Sequence, residues 1–342
     1  MKRMETARKI LITGASGFIG SFLTEGGLER GYEVWAGVRK TSSRRYLRDG
    51  RIRFAELDLE HPERLREQLQ AHREEHGGWD YIIHCAGVTK CRDKAEFERG
   101  NYEATRHLVE ELSALGMTPL RFVYISSLSV FGPIREKDYS PIRESDTPCP
   151  NTAYGVSKVH ADNYLRSVAG FPTVIFRPTG VYGPREKDYF LMAQSIRNHV
   201  DFAAGFRRQD LTFIYIKDLV QAVYLGVEHP KAAGRAYFVS DGQVYGSRVF
   251  SDLIRKELGN PWVLRFVCPL PLLRLMSCVA GAVAKWRGTA STLNPDKYQI
   301  MKQRNWQCDI SPLVEELGYR PEYPLARGVQ EIIAWYKKEG WL

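Results

Sequence analysis

The sequence predicts an α/β fold: a doubly wound parallel sheet with a smaller, mostly helical C-terminal region. Three observations predict it. Short β-branched runs alternate with amphipathic, charged stretches through the first half of the 342 residues. Several of those runs, such as Tyr81-Ile-Ile-His84 and Phe122-Val-Tyr-Ile125, are apolar on consecutive positions, as strands buried on both faces are. A glycine-rich turn joins the first run to the first helical stretch.

In chain order, strands are expected at Lys9–Thr13, Tyr32–Val38, Ile52–Ala55, Tyr81–His84, Arg121–Ser126 and Thr173–Arg177. Helical patterns fall between them, for example over Pro62–His76 and Tyr102–Leu115. Strands separated by helices imply right-handed crossovers and a parallel sheet covered on both faces. Beyond about residue 178 the pattern loosens around Pro178, Gly180, Gly183 and Pro184. Phe213–Ile216 and Tyr237–Ser240 still read as strands of the sheet, while Val263–Trp286 and Pro312–Leu342 read as helices and loops.

Composition narrows the function classes. Apolar residues make up 44%, enough for a sizeable core. Nothing reaches the roughly 20 apolar residues of a membrane span. The polar start Met1–Lys9 lacks the apolar centre of a signal peptide. Six cysteines (Cys85, Cys91, Cys149, Cys268, Cys278, Cys308) show no paired or zinc-like spacing, so free thiols in a cytoplasmic protein and no bound metal are expected. The net charge of +9 fits a basic surface, a phosphate-bearing cofactor or an anionic membrane. No basic run interleaved with aromatics points to nucleic acid, and none is expected as a partner.

The turn Thr13-Gly14-Ala15-Ser16-Gly17-Phe18-Ile19-Gly20 carries the first chemical signal. Gly14 permits a tight turn, Gly17 lets the backbone approach a pyrophosphate, and Gly20 lets the helix pack closely. The helix N-terminus then offers N–H groups and partial positive charge to phosphates. A Rossmann-type dinucleotide-binding domain is therefore expected over 1–177, with 213–240 returning to it. A substrate-binding region is expected from 178–212 and 241–342. After the second strand the chain reads Gly37-Val38-Arg39-Lys40-Thr41-Ser42-Ser43-Arg44, with no carboxylate before Asp49. A ribose-binding Asp or Glu is thus missing. Arg39 is placed to pair with a 2′-phosphate, helped by Lys40, Ser42 or Arg44. NADP is the expected cofactor and NAD the alternative. Asp58, in Leu57-Asp58-Leu59, is placed either to meet the adenine amino group or to cap the next helix.

Tyr154 and Lys158 stand four residues apart and share a helix face, with Asn151 or Thr152 available as a cap. A nearby ammonium is expected to lower the tyrosine pKa, fitting Tyr154 to exchange a proton with a substrate oxygen. A serine from the strand end Ser126-Ser127-Leu128-Ser129 would complete a donor pair. The spacing alone proves little, because Tyr298 also has Lys302 four residues on.

These segments resemble the extended short-chain dehydrogenase/reductases, a group that includes nucleotide-sugar epimerases and dehydratases and 3β-hydroxysteroid dehydrogenases. The matches are Thr13–Gly20, His84-Cys-Ala-Gly87, Asn101, Tyr124–Gly132, Tyr154–Lys158, Arg177–Pro184 and Phe213–Asp218. The resemblance implies Ser127 as the catalytic hydroxyl, three residues before Val130, with Tyr154 and Lys158. It implies that Asn101 supports the site or a proton-relay water. It implies cofactor contacts from Gly14, Ser16, Gly17, Phe18, Ile19, Gly20, Leu59, Ala86, Gly87, Pro178 and Val181, and a homodimer.

Departures from the group narrow the reaction. The resembling dehydratases carry Asp-Glu after the catalytic hydroxyl, where Leu128 and Ser129 stand here. Nucleotide-sugar enzymes carry an Arg where Leu211 stands, and often an Asn at Thr179, although Arg185, Arg207 or Arg208 could replace the arginine. The stretch 262–286 is apolar and reads either as a packed helix or as a lid or interfacial helix with peripheral membrane contact. The expectation is an NADP-dependent oxidoreductase interconverting a secondary alcohol and a ketone of a small, steroid- or lipid-like molecule. A UDP-sugar epimerase is the alternative. A non-catalytic NADP sensor would require loss of the Tyr-Lys-Ser set, which is intact.

Overall fold

The computed structural model describes residues 7–91, 93–287 and 293–342, with only the backbone of residues 284 and 285. Most of the N-terminal stretch read above for a leader, residues 1–6, therefore lies outside the described residues. Seven parallel strands form the central sheet: β1 (Lys9–Thr13), β2 (Glu33–Val38), β3 (Arg53–Glu56), β4 (Tyr81–His84), β5 (Arg121–Ile125), β6 (Thr173–Pro178) and, later in the chain, β11 (Ala236–Val239). Their order is β11-β6-β5-β4-β1-β2-β3.

The inner strands bury both faces, which explains the non-alternating apolar runs, while the edge strand β3 leaves Arg53 and Glu56 exposed. In β1, Ile10 and Ile12 face one core and Leu11 the other; in β5, Val123 and Ile125 oppose Phe122 and Tyr124. One face is covered by α1 (Phe18–Glu29) and α7 (Ile216–Glu228), and α12 (Leu325–Lys338) adds to the same core. The other is covered by α2 (Pro62–His76), α4 (Ala104–Ala114) and α5 (Ala153–Ser167). A short helix α3 (Lys94–Phe97) and a π-helical turn, Glu98–Glu103, lead into α4.

The chain reverses its direction of strand addition between β1 and β4, which lie side by side. Loops leaving such neighbours diverge, so a crevice opens at their C-terminal ends. Thr13 and His84 are paired in register at that point.

Outside the sheet, β7 (Gly180–Tyr182) pairs in parallel with β10 (Phe213–Tyr215), β9 (Asp210–Leu211) pairs antiparallel with β12 (Tyr245–Gly246), and β8 (Val200–Ala204) pairs in parallel with β13 (Leu264–Cys268). Two expectations change here. Residues 213–216 do not join the large sheet, because the break at Pro178 starts a separate strand, β7, which takes β10 as its partner. Leu264–Cys268, expected as helix or loop, is a strand whose partner lies some sixty residues earlier. The remaining helices are α6 (Asp188–Arg197), α8 (Val249–Glu257), α9 (Leu270–Trp286), α10 (Pro295–Lys302) and α11 (Ser311–Leu317). Among the described residues no helix is long and apolar enough to cross a membrane.

Candidate active site in the cleft at the sheet reversal

A cleft of about 580 Å³ runs along the C-terminal ends of β1, β4, β5 and β6. Every predicted site residue lines it except Asp58: Gly14, Ser16, Gly17, Phe18, Ile19, Gly20, Arg39, Leu59, Ala86, Gly87, Asn101, Ser127, Tyr154, Lys158, Pro178 and Val181. The Asp58 carboxylate accepts from His61 Nδ1 at 2.9 Å and lies 3.6 Å from Arg64. It neither faces the cleft nor caps α2, whose N-cap is His61. The nearby cations hold it outside.

The glycine turn is built by close contacts. Gly14 has φ +66°, and a Cβ there would sit 2.7 Å from the Ala86 amide nitrogen. A Cβ on Gly20 would sit 2.1 Å from the Gly14 carbonyl oxygen, so Gly20 lets α1 close on its own preceding turn. Gly20→Ala is expected to shift that backbone. Thermal melts should fall by about 5 °C or more, and NADPH titration should show affinity weakened at least about tenfold. A variant that melts and binds like the parent would refute the contact.

Behind the turn a buried chain of hydrogen bonds ties β1, β4 and α4 together. Thr105 Oγ1 donates to the Asn101 carbonyl (2.6 Å), so it accepts from His84 Nε2–H (3.0 Å). His84 Nδ1 is then the acceptor for Thr13 Oγ1–H (2.7 Å), and Thr13 Oγ1 also accepts from Ala86 N–H (3.2 Å). Burial, with Lys158 nearby, pushes His84 down to about 3, so the ring is neutral as this pattern requires. The same chain that joins the two strands thus positions the Ala86 end of the cleft.

The group fits a dinucleotide. Gly17 caps α1 without a side-chain hydrogen bond, and no carboxylate stands in that helix's first turn, so its N–H groups remain for phosphate oxygens. The buried hydroxyls Ser126 Oγ and Thr179 Oγ1 line the cleft and have no partner among the described residues. Buried polar groups normally find partners, so these two beside the cleft are exceptions.

At the adenosine end the structure supplies a carboxylate that strand reading missed. Glu60, after β3, lines the cleft with its Oε1 3.6 Å from Arg39 Nη1. Ser42 Oγ accepts from the Arg39 amide, fixing the turn. Arg44 stacks on the Phe54 ring at 4.1 Å instead of entering the cleft, and neither Arg44 nor Lys40 is among its lining.

At the other end lie Ser127, Tyr154 and Lys158. Thr152 caps α5 by accepting from Gly155 N–H (3.0 Å), which sets Tyr154 and Lys158 in the first turns of that helix. Ser127 opens a short 3₁₀ turn, where its Oγ accepts from Ser129 N–H (3.1 Å). Lys158 Nζ donates to Tyr124 Oη (3.1 Å) and the Ile125 carbonyl (2.9 Å). Here the expected electrostatics are corrected. Burial pushes Tyr154 up to about 12, and a hydrogen bond from Ser127 offsets only part of that. Burial also pulls Lys158 down to about 8. The ammonium is directed at β5, so desolvation dominates. Asn101, fully buried in the π-helical turn, clamps Val88: Oδ1 accepts from its N–H (2.7 Å), and Nδ2 donates to its carbonyl (3.1 Å) and to Ser157 Oγ (2.9 Å). Tyr298 and Lys302 sit together on α10, away from the cleft.

Two carboxylates, Glu186 and Asp188, line the substrate side, and both are engaged by the protein itself. Burial pushes Glu186 up, opposed by hydrogen bonds from the Asp188 and Tyr189 amides. Asp188 is paired with Lys90 (2.5 Å) and Lys297 (3.2 Å). Of the three arginines that might replace one at Leu211, Arg185 is held by Glu25 (2.7 Å) and Arg208 by Asp210 (2.6 Å), whereas Arg207 has no ion pair among the described residues.

A family model described as the NAD dependent epimerase/dehydratase family matches residues 10–240. The chain belongs to that family. It is therefore an enzyme of the extended short-chain dehydrogenase/reductase type that uses a nicotinamide dinucleotide. It is 26% identical to a UDP-glucose 4-epimerase of Vibrio cholerae, covering 95% of this chain and 94% of that one. It is 25% identical to a 3-beta-hydroxysteroid dehydrogenase of Mycolicibacterium neoaurum, covering 96% and 91%. Among solved structures, a UDP-glucose 4-epimerase of Thermotoga maritima with UDP-glucose superposes at a TM-score of 0.77, with 20% identity over 97% of this chain and 99% of that one. The family accommodates both epimerases and dehydrogenases, so the choice between them rests on the site.

Proposed function

We propose that this enzyme interconverts a secondary alcohol and a ketone on a steroid- or lipid-like substrate, using NADP(H). The observation that carries this reading is Leu211, which stands where a nucleotide-sugar enzyme places a phosphate-binding arginine, while Arg185 and Arg208, two of the three arginines that could replace it, are already paired. A nucleotide sugar brings a diphosphate, which a site without that arginine holds less well.

Bound in the cleft, the nicotinamide supplies or accepts the hydride. In ketone reduction, Tyr154 Oη gives its proton to the carbonyl oxygen as that oxygen becomes negative, and Ser127 Oγ–H donates to the same oxygen. Lys158, an ammonium at neutral pH, stabilises the tyrosinate that forms, and solvent returns the proton. Asn101 acts at a distance, by fixing Val88 and Ser157 beside these groups.

The test follows absorbance of NADPH with ketosteroids, lipid ketones and UDP-sugars. Net oxidation with a ketone is expected. Isomer exchange of a UDP-sugar without net cofactor turnover would replace this reading with epimerisation, which the V. cholerae relative favours.

Cofactor choice has its own test. Arg39 is 71% exposed at its side chain and only loosely tied to Glu60, so it is free to pair with a 2′-phosphate. Arg39→Asp is expected to lower the NADPH-to-NADH ratio of kcat/KM by about 10²-fold through loss of a charge-assisted pair and gain of a repulsive one. Glu60→Gln should move the ratio the other way. If both variants leave it unchanged, the assignment of NADP fails.

A further inference from the structure

We propose that helix α9 docks in the plane of an anionic lipid bilayer. The 38 residues from Leu258 to Pro295 contain no Asp or Glu, and four cations: Arg265, Arg274, Lys285 and Arg287. Within this stretch α9 turns its apolar side outward. Leu272, Leu275, Met276, Val279, Val283 and Trp286 are all exposed, Leu275 at 61% and Val279 at 55%. At 3.6 residues per turn these six positions fall within an arc of about 100°. The buried positions of the helix, Leu273 and Ser277, lie on the opposite side. A helix that packs on a core does the reverse.

The stretch also holds two exposed tryptophans, Trp286 at the end of this face (85%) and Trp262 ahead of β13 (70%). An exposed indole on an apolar surface suits the boundary between headgroups and acyl chains. At 17 residues α9 is about 25 Å long and would lie flat instead of crossing.

Charge selects the occupant. Arg265 is paired with Asp201 and Asp252, whereas Arg274 and Arg287 have no ion-pair partner among the described residues. In a self-complementary contact between two copies the patch would meet itself, cation against cation with no carboxylate between. An anionic headgroup layer complements it.

The surface is also wired to the cleft. α9 packs on α10, where Asp296 Oδ2 accepts from Ala153 N–H (2.8 Å), one residue before Tyr154, and Lys297 binds Asp188. Docking would therefore hold the substrate side of the cleft against the bilayer, which extends the lipid-substrate reading above.

The experiment is cosedimentation of the full chain with vesicles of phosphatidylcholine alone or mixed equally with phosphatidylglycerol, at low and high salt. Binding to the mixed vesicles, weakened by salt, is expected. Leu275→Glu with Val279→Glu should reduce partition at least tenfold with circular dichroism and NADPH binding unchanged, since both side chains are exposed. No binding to either vesicle overturns the proposal. A dimer in solution that the double variant dissociates would assign the face to a second copy instead. The outcomes separate: ketone reduction without vesicle binding removes only the docking, and vesicle binding without ketone turnover removes only the substrate reading.

Discussion

Tyr154→Phe is expected to lower kcat for ketone reduction by about 10³-fold while leaving NADPH affinity and thermal stability near those of the parent. The size follows from general acid catalysis, which typically contributes 10²–10⁴-fold. The selectivity follows from the structure. The ring keeps its edge contact with Phe97 (5.9 Å between centroids), and the hydroxyl accepts a hydrogen bond from Ser127 and does little else. The direction of reaction should show in the pH profile. Tyr154 is pushed up to about 12 and is fully protonated at neutral pH, ready to give a proton and not to take one. Reduction should therefore be flat from pH 6 to about 7.5 and fall as Lys158 loses its proton near 8. Alcohol oxidation needs the tyrosinate and should rise with pH over the same range. Stopped-flow single turnovers would check both limbs. More than a tenth of parental activity in Tyr154→Phe would place the proton donor elsewhere.

What the sequence made legible was what local chemistry writes into consecutive residues. Strands such as Tyr81–His84 announce themselves because each position is buried on one face or the other. The glycine turn is legible because each glycine answers a contact that a Cβ would violate. Illegible were the meetings of residues distant in the chain. β13 finds β8 across some sixty residues, and Glu60 reaches Arg39 from the far side of β3. Asp58 illustrates the limit in another way. Its spacing suits an adenine contact, whereas in the structure His61 and Arg64, each within six residues, engage the same carboxylate. Lys158 was placed correctly on its helix, whereas its ammonium's choice of Tyr124 and Ile125 over Tyr154 depends on where β5 ends.

Lys158→Met carries the second large expectation, because one side chain serves two opposed demands. Turnover should drop by about 10²–10³-fold, since the tyrosinate formed in reduction loses its stabilising charge. Stability should respond through pH. Burial lowers Lys158 from its ordinary 10.5 to about 8, and hydrogen bonds to Tyr124 and Ile125 do not restore it. A displacement of this size corresponds to about 3 kcal/mol of differential stability. Below pH 8 both folded and unfolded chains carry the proton, and the destabilisation is present in full. Between about 8 and 10.5 the unfolded chain binds more protons than the native one, so stability rises with pH across that window. Removing the amine removes the rise. Removing it also leaves Tyr124 Oη and the Ile125 carbonyl short of a donor, at about 1–3 kcal/mol each, so the absolute Tm at pH 7 is a poor reporter. The difference in unfolding free energy between parent and variant, measured in urea at pH 7.5 and 9.5, is the sensitive one. It should shift in the parent's favour by roughly 2 kcal/mol over that interval. A constant difference would mean that Lys158 keeps its ordinary affinity for the proton in the folded cleft, and that desolvation does not set the charge beside Tyr154.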